Sequence, residues 1–166
     1  PLSSSAASDV YKRQIMNKAT SSTSIMFRLG YLGLLPFALS LICIVTGASL
    51  FGLTGEEMFI SYSVVILSFL SGVLWGNGID HSVDKISRNA LLLSNLFAVM
   101  TWGVLLLSRQ NIALALILLA IGYFLVWFSE RAVRIAEKER KPAGYKILRA
   151  RLTTSVVIMH CIALIA

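Results

Sequence analysis

The chain has 166 residues, 57% of them hydrophobic and 14% charged, with a mean hydropathy of +0.78 and a formal net charge of +7. Soluble domains are about 45–50% apolar and about 25% charged, so this chain has too few polar groups to cover a surface facing water. An ordinary soluble domain is excluded, and the length bounds the domain count at one.

Residues 1–14, "PLSSSAASDVYKRQ", carry no initiator Met and read as a non-native, adapter-like leader, with Met16 as the start. Residues 15–28 then form a short cytoplasmic N-terminal segment, and 29–166 one transmembrane helical domain. The first apolar run, Leu29–Leu53, has twenty-five residues. As a helix it would extend ~37 Å, enough to cross a bilayer with some tilt. A cleaved signal has an apolar region of only about 7–15 residues, so this run is expected to stay as an anchor. Pro36 should kink its first turns, with a neighbouring helix satisfying the freed carbonyl.

A tight turn at "TGEE" leads to the second run, Met58–Gly76. Ser68, Gly72 and Gly76 recur there every four residues and share one helix face, the spacing at which small side chains let two backbones approach closely in lipid. After the polar segment "NGIDHSVDKISRN" comes the third run, Ala90–Leu107, and after "SRQ" the fourth, Asn111–Phe128. The fifth, Leu152–Ala166, has fifteen residues, fewer than the about 17–25 of a spanning helix, so it is read as truncated. Trp75, Trp102, Tyr123 and Trp127 lie near run ends, where interfacial aromatics gather. Cys43 and Cys161 sit inside apolar runs and read as small apolar fillers.

Five spans put alternate connections on opposite sides. One side receives Lys18, Arg28, Lys85, Arg88 and the eight Lys/Arg of residues 129–151; the other receives Arg109 alone. Twelve against one places the N-terminus and the basic segment in the cytoplasm, N-in and C-out. The 129–151 segment is then a cytoplasmic connection that attracts anionic lipid headgroups, by ~1 kcal/mol per side chain near the surface. Helical spacing pairs Glu130 with Arg134 and carries the fourth helix past the membrane until Pro142 stops it. No nucleic-acid motif accompanies the charge.

Three stretches carry a family resemblance: "LGYLGLLPF" (Leu29–Phe37), "VVILSFLSGVLWG" (Val64–Gly76) and "GYKILRARLTTSVV" (Gly144–Val157). Together the chain resembles the uncharacterised membrane family of the domain of unknown function 3429 type (transmembrane protein 69-like). Gly144 stands where that family often has an aromatic, and Leu74 where it often has a polar residue. The resemblance implies a helical membrane protein; it brings no activity, cofactor or catalytic residue.

Two places offer chemistry. His160 lies nine residues beyond Arg151, about 13 Å along a helix and so deep in the membrane. An ionisable group there is a functional candidate or a neutral ring hydrogen-bonded to a neighbouring helix. Asn95 is a second intramembrane polar group, expected with Ser94, Thr153 and Thr154 to hydrogen-bond across helices. In the first cytoplasmic connection Asp80, His81 and Asp84 cluster, as a cation or acid/base site or as solvated residues. Asp80 or Asp84 is also placed to pair with Arg149 or Arg151. No phosphate loop, nucleophile elbow, zinc signature or cofactor signature occurs.

The reading is an all-α polytopic bundle of five transmembrane helices in the bacterial inner membrane, or the mitochondrial inner membrane if the source is eukaryotic. The leading function is non-enzymatic helix packing, with itself or a membrane-protein partner, through Ser68, Gly72 and Gly76. The alternatives are a small permease or proton-coupled channel using His160 and Asn95, and a lipid-modifying enzyme on the Asp80, His81, Asp84 loop.

Overall fold

Five helices long and apolar enough to cross a membrane fill a computed structural model of the chain, which describes residues 23–80, 85–136 and 144–166. They are α1 (Leu35–Thr46), continuing a helical stretch over 23–32, then α2 (Gly55–Asp80), α3 (Lys85–Ser108), α4 (Ile112–Ala136) and α5 (Tyr145–Ile165). The described residues contain no strand beyond an isolated bridge between Leu50 and Leu53. Large apolar side chains such as Val45, Phe69, Leu92, Val99 and Ile135 stand exposed around the outside. In water that surface would be an aggregation hazard; in hydrocarbon it is the ordinary exterior of a bundle.

Pro36 acts as expected, by breaking the first span. It sits in the first turn of α1, and the chain turns at Gly33–Leu34 between the two helical pieces. Proline has no N–H and its ring crowds the preceding turn, so the regular ladder fails there. Tyr62 of α2 donates its hydroxyl proton to the carbonyl of Gly33 at 3.0 Å. A neighbouring helix thus supplies the partner that water supplies in a soluble protein.

The first helix ends earlier than its apolar run. It stops at Thr46, where Gly47 takes a left-handed φ of 67° and the N–H groups of Gly47 and Ala48 donate to the carbonyls of Ile44 and Cys43. Leu50 and Leu53 then exchange two backbone hydrogen bonds around Phe51 (φ 54°) and Gly52 (φ 76°). Two successive positive φ values are what a two-residue hairpin turn needs. The "TGEE" segment opens α2 rather than merely turning. Glu57 N–H donates to Thr54 Oγ1 at 3.2 Å, and Thr54 N–H donates to Glu57 Oε2 at 2.9 Å, a reciprocal capping box. Asn111 caps α4 through Leu114 N–H at 2.9 Å.

At the other end of the bundle, helices outrun their apolar stretches. α2 continues through Asp80 and α3 begins at Lys85, so most of the polar segment between the second and third runs is helix. α4 extends through Ser129–Ala136. α5 begins at Tyr145 and has 21 residues, ~31 Å, so the fifth helix is of full spanning length once "YKILRAR" is counted within it.

Packing centres on α2, which touches α1, α3 and α4, while α5 lies against α4 and α1. Phe37, Phe59, Leu67, Leu74, Leu116, Leu119, Tyr123 and Val126 form the inner core. Tyr123, expected near an interface, is 2% exposed in that core. The closest backbone approach is at Gly55, where a Cβ would stand 2.5 Å from the backbone nitrogen of Ile44. Gly72 and Gly76 meet no atom within 4 Å and face outward. Gly55→Ala is therefore expected to lower the melting temperature in detergent by forcing α1 and α2 apart, at a cost of about 1–3 kcal/mol. Gly72→Ala should leave it unchanged or raise it.

Candidate functional site

Two buried polar centres stand out. The first lies at the basic end, where α4 leaves the core and α5 enters it. Glu130, three-quarters of the way along α4, is 0% exposed, and Arg134 and Arg149 beside it are 7% and 6% exposed. Arg149 Nε donates to Glu130 Oε2 at 2.8 Å. Its Nη2 is also 2.8 Å from that oxygen, within ion-pair reach although too oblique for a hydrogen bond. Tyr145 Oη donates to Oε1 at 2.7 Å. Arg134 Nε lies 4.0 Å from Oε1 and donates to the Glu130 carbonyl, while its guanidinium sits 5.5 Å over the Tyr145 ring.

The physical reason for this arrangement is the medium. A carboxylate or guanidinium taken out of water loses several kcal/mol of hydration, recovered only through close, well-aligned partners. α4 and α5 are antiparallel, so Glu130, just past one apolar run, and Arg149, just before the next, arrive at the same depth. Arg149 ties α5 to α4 through Glu130; its expected partners, the side chains of Asp80 and Asp84, lie outside the described residues. The expected Glu130–Arg134 pair is present as the looser contact of the two. Arg151 is exposed, as is Lys146, so both extend outward along the helix rather than into the cluster.

The second centre joins α1, α2, α4 and α5. Ser63 Oγ and His160 Nε2 are 2.9 Å apart, and His160 Nδ1 is 2.8 Å from the Val156 carbonyl. A carbonyl only accepts, so Nδ1 carries the proton, and in the neutral ring Nε2 accepts from the Ser63 hydroxyl. Tyr123 Oη donates to the Ser63 carbonyl at 2.9 Å. Phe59 meets the imidazole edge-on with centroids 4.8 Å apart, and Phe37 stands 6.0 Å away. His160 is 1% exposed and Ser63 0%. Both ring nitrogens are engaged and the group is sealed by aromatics, so of the two readings of His160 the geometry is that of a ring bonded to a neighbouring helix.

The other sequence candidates are dispersed. Asn95 is exposed on α3 and donates to the Leu91 carbonyl of its own helix at 3.0 Å, so it does not meet His160. Ser94 crosses to the Ser71 carbonyl at 2.8 Å, and Ser68 meets Thr101 Oγ1 at 3.0 Å. Both bonds join α3 to α2. Ser68 is thus used inside the chain, whereas Gly72 and Gly76 on the same drifting stripe are open. Asp80 ends α2, but its side chain, like His81 and Asp84, lies outside the described residues. Among the described residues no group of three His, Cys, Asp or Glu is placed to hold a metal.

Helices of this length, order and apolar surface suit the resemblance read from the sequence, and comparison settles it. Residues 22–165 match the family described as Protein of unknown function (DUF3429). The chain belongs to the DUF3429 family. It is 34% identical over 136 residues to Transmembrane protein 69 of Xenopus tropicalis, an overlap of 78% of this chain and 49% of that protein. It therefore spans about half the length of that relative. No solved structure matches it.

Within this DUF3429 chain, the segment Gly144–Val157 that carried part of the resemblance supplies Tyr145, Arg149 and Thr153. Gly144 has φ 81°, and a Cβ there would lie 2.8 Å from the Phe27 ring, so the absence of an aromatic is a backbone requirement. Leu74 is fully buried in the core, which leaves it no polar role. The Glu130–Arg149 pair was missed by sequence reasoning, though a signal existed: an acid and a base flanking successive apolar runs share a depth. Ser63 carried no such signal.

Glu130→Ala would leave two buried guanidinium groups without their carboxylate, an expected loss of about 3–5 kcal/mol. Tyr145→Phe should cost about 1 kcal/mol. Thermal unfolding in detergent followed by circular dichroism would test the order; equal melting temperatures would refute the pairing.

Proposed function

We propose that this DUF3429 protein is a non-enzymatic assembly component of an energy-transducing membrane, bacterial or mitochondrial inner, inserted N-in and C-out. The observation that carries the assembly reading is the outer face of α2. Val65, Phe69, Gly72, Gly76 and Ile79 follow one another at alternating four- and three-residue spacing along one helix face, and all are exposed. A Cβ at either glycine meets nothing within 4 Å. The two glycines leave a shallow notch between larger side chains, into which a second helix fits with backbone-to-backbone closeness. Association between helices in lipid depends on such fit, because burying apolar surface from lipid brings no hydrophobic gain. The partner we assign is a second copy of the chain.

The permease reading has less support. A polar path needs lining groups, yet Asn95 lies on the outer surface and both nitrogens of His160 are bonded within the core. The basic segment supports the orientation and a general attraction to anionic headgroups, through its excess of Lys and Arg over acidic residues.

In mild detergent, the mass of the purified protein by light scattering should correspond to more than one chain. Gly72→Leu should reduce it to one while leaving helicity intact, since a Cβ at this outward position meets no atom of its own chain within 4 Å. A single chain from the outset, or an assembly indifferent to Gly72→Leu, would refute this role. A tag inserted between Pro142 and Lys146 should be accessible to reagents only from the cytoplasmic or matrix side.

A further inference from the structure

A cavity of about 430 Å³ opens between the 23–37 segment, α2 and α5, from the basic end toward the core. Its walls are apolar, including Leu29, Leu34, Ile66 and Leu152, and Leu29 and Phe69 at its rim are exposed to the surroundings. This size is within the about 300–1,000 Å³ usual for ligand sites. Polar groups gather at one end. Arg149 and Thr153 both line the cavity, and Thr153 is 7% exposed with no hydrogen-bond partner for Oγ1.

Charge identifies what is missing. Among the described residues, the cluster beside the cavity holds one carboxylate, Glu130, against two guanidinium groups, Arg134 and Arg149, all buried. Arg149 directs Nε and Nη2 at a single oxygen of Glu130, while a guanidinium has five N–H donors in a fork. Arg134 Nη1 is buried and has no hydrogen-bond partner among the described residues. A buried surplus of one positive charge, an orphaned hydroxyl and an apolar channel leading away from them describe a receptor for an amphiphile with one anionic head.

We propose that this cavity binds an anionic glycerophospholipid of the surrounding leaflet, with one acyl chain between α2, α5 and the 23–37 segment and the phosphate against Arg149 and Thr153. The lateral opening at Leu29 and Phe69 leaves the second chain in the bilayer. A phospholipid is chosen over a free fatty acid because it already forms the solvent at that opening. The site shares Phe69 with the outer face of α2 but does not include Gly72 or Gly76, and it adds one defined seat to the general attraction of the basic segment.

The test is native mass spectrometry of the intact protein released from nanodiscs of equal parts phosphatidylglycerol and phosphatidylcholine. One retained phosphatidylglycerol per chain is expected, favoured about tenfold over phosphatidylcholine, as a charge-assisted hydrogen bond would give. Thr153→Val, nearly isosteric, should reduce retention several-fold, and Ile66→Trp, which fills the channel, should abolish it. If Ile66→Trp does not fold, Thr153→Val decides alone. Equal retention of the two lipids, no retained lipid, a fatty acid in its place, or retention that ignores Thr153→Val would each overturn the proposal. Gly72→Leu should leave retention unchanged, so failure of the assembly reading and failure of this one give different results.

Discussion

In hydrocarbon a polar atom has no water to fall back on, and the arrangement of this bundle depends on that constraint at Glu130. Its carboxylate makes it possible for Arg149 to be part of a spanning helix instead of a surface connection. With Arg149 bonded at 2.8 Å, α5 begins at Tyr145 and reaches full spanning length. Without that partner the guanidinium would stand buried and unpaired, at a cost of several kcal/mol. The ion pair joins α5 to α4 at the end where α5 begins.

The same constraint explains the other polar contacts. Tyr62 bonds the Gly33 carbonyl at the turn before Pro36, Ser94 bonds a carbonyl of α2, and His160 satisfies both ring nitrogens. Each bond of this type in lipid contributes about 0.6 kcal/mol or somewhat more. Their effect on register is larger than their energy, because every one that crosses between helices fails if its helix slides by a residue. Apolar packing among Phe37, Phe59, Leu67 and Leu119 holds the helices together but tolerates several registers; the polar contacts select one.

The polar surplus and the open glycines then stand out against a background in which most polar groups are satisfied. Among the described residues, Arg134 Nη1, Arg149 Nη2 and Thr153 Oγ1 are the buried side-chain atoms without a hydrogen-bond partner. Gly72 and Gly76 leave room on a helix whose other faces are closely packed. The glycines face outward from the core, whereas the unpartnered polar atoms are buried within it.

The amino-acid sequence by itself determined the class, the number of spans and the family, because twenty-residue apolar runs and their charged connectors are local properties that hydrocarbon reads directly. It also located the break at Pro36, since the missing N–H belongs to that residue alone. Helix ends were less legible: "YKILRAR" has the composition of a loop until Glu130 is brought against Arg149. The same limit applies to the small residues, where spacing identified Ser68, Gly72 and Gly76 as one face but could not tell that Ser68 turns inward and the glycines outward. Which serine meets His160, which acid neutralises which arginine, and where a cavity remains were decided by tertiary structure, because each depends on the depth and rotation of helices distant in sequence.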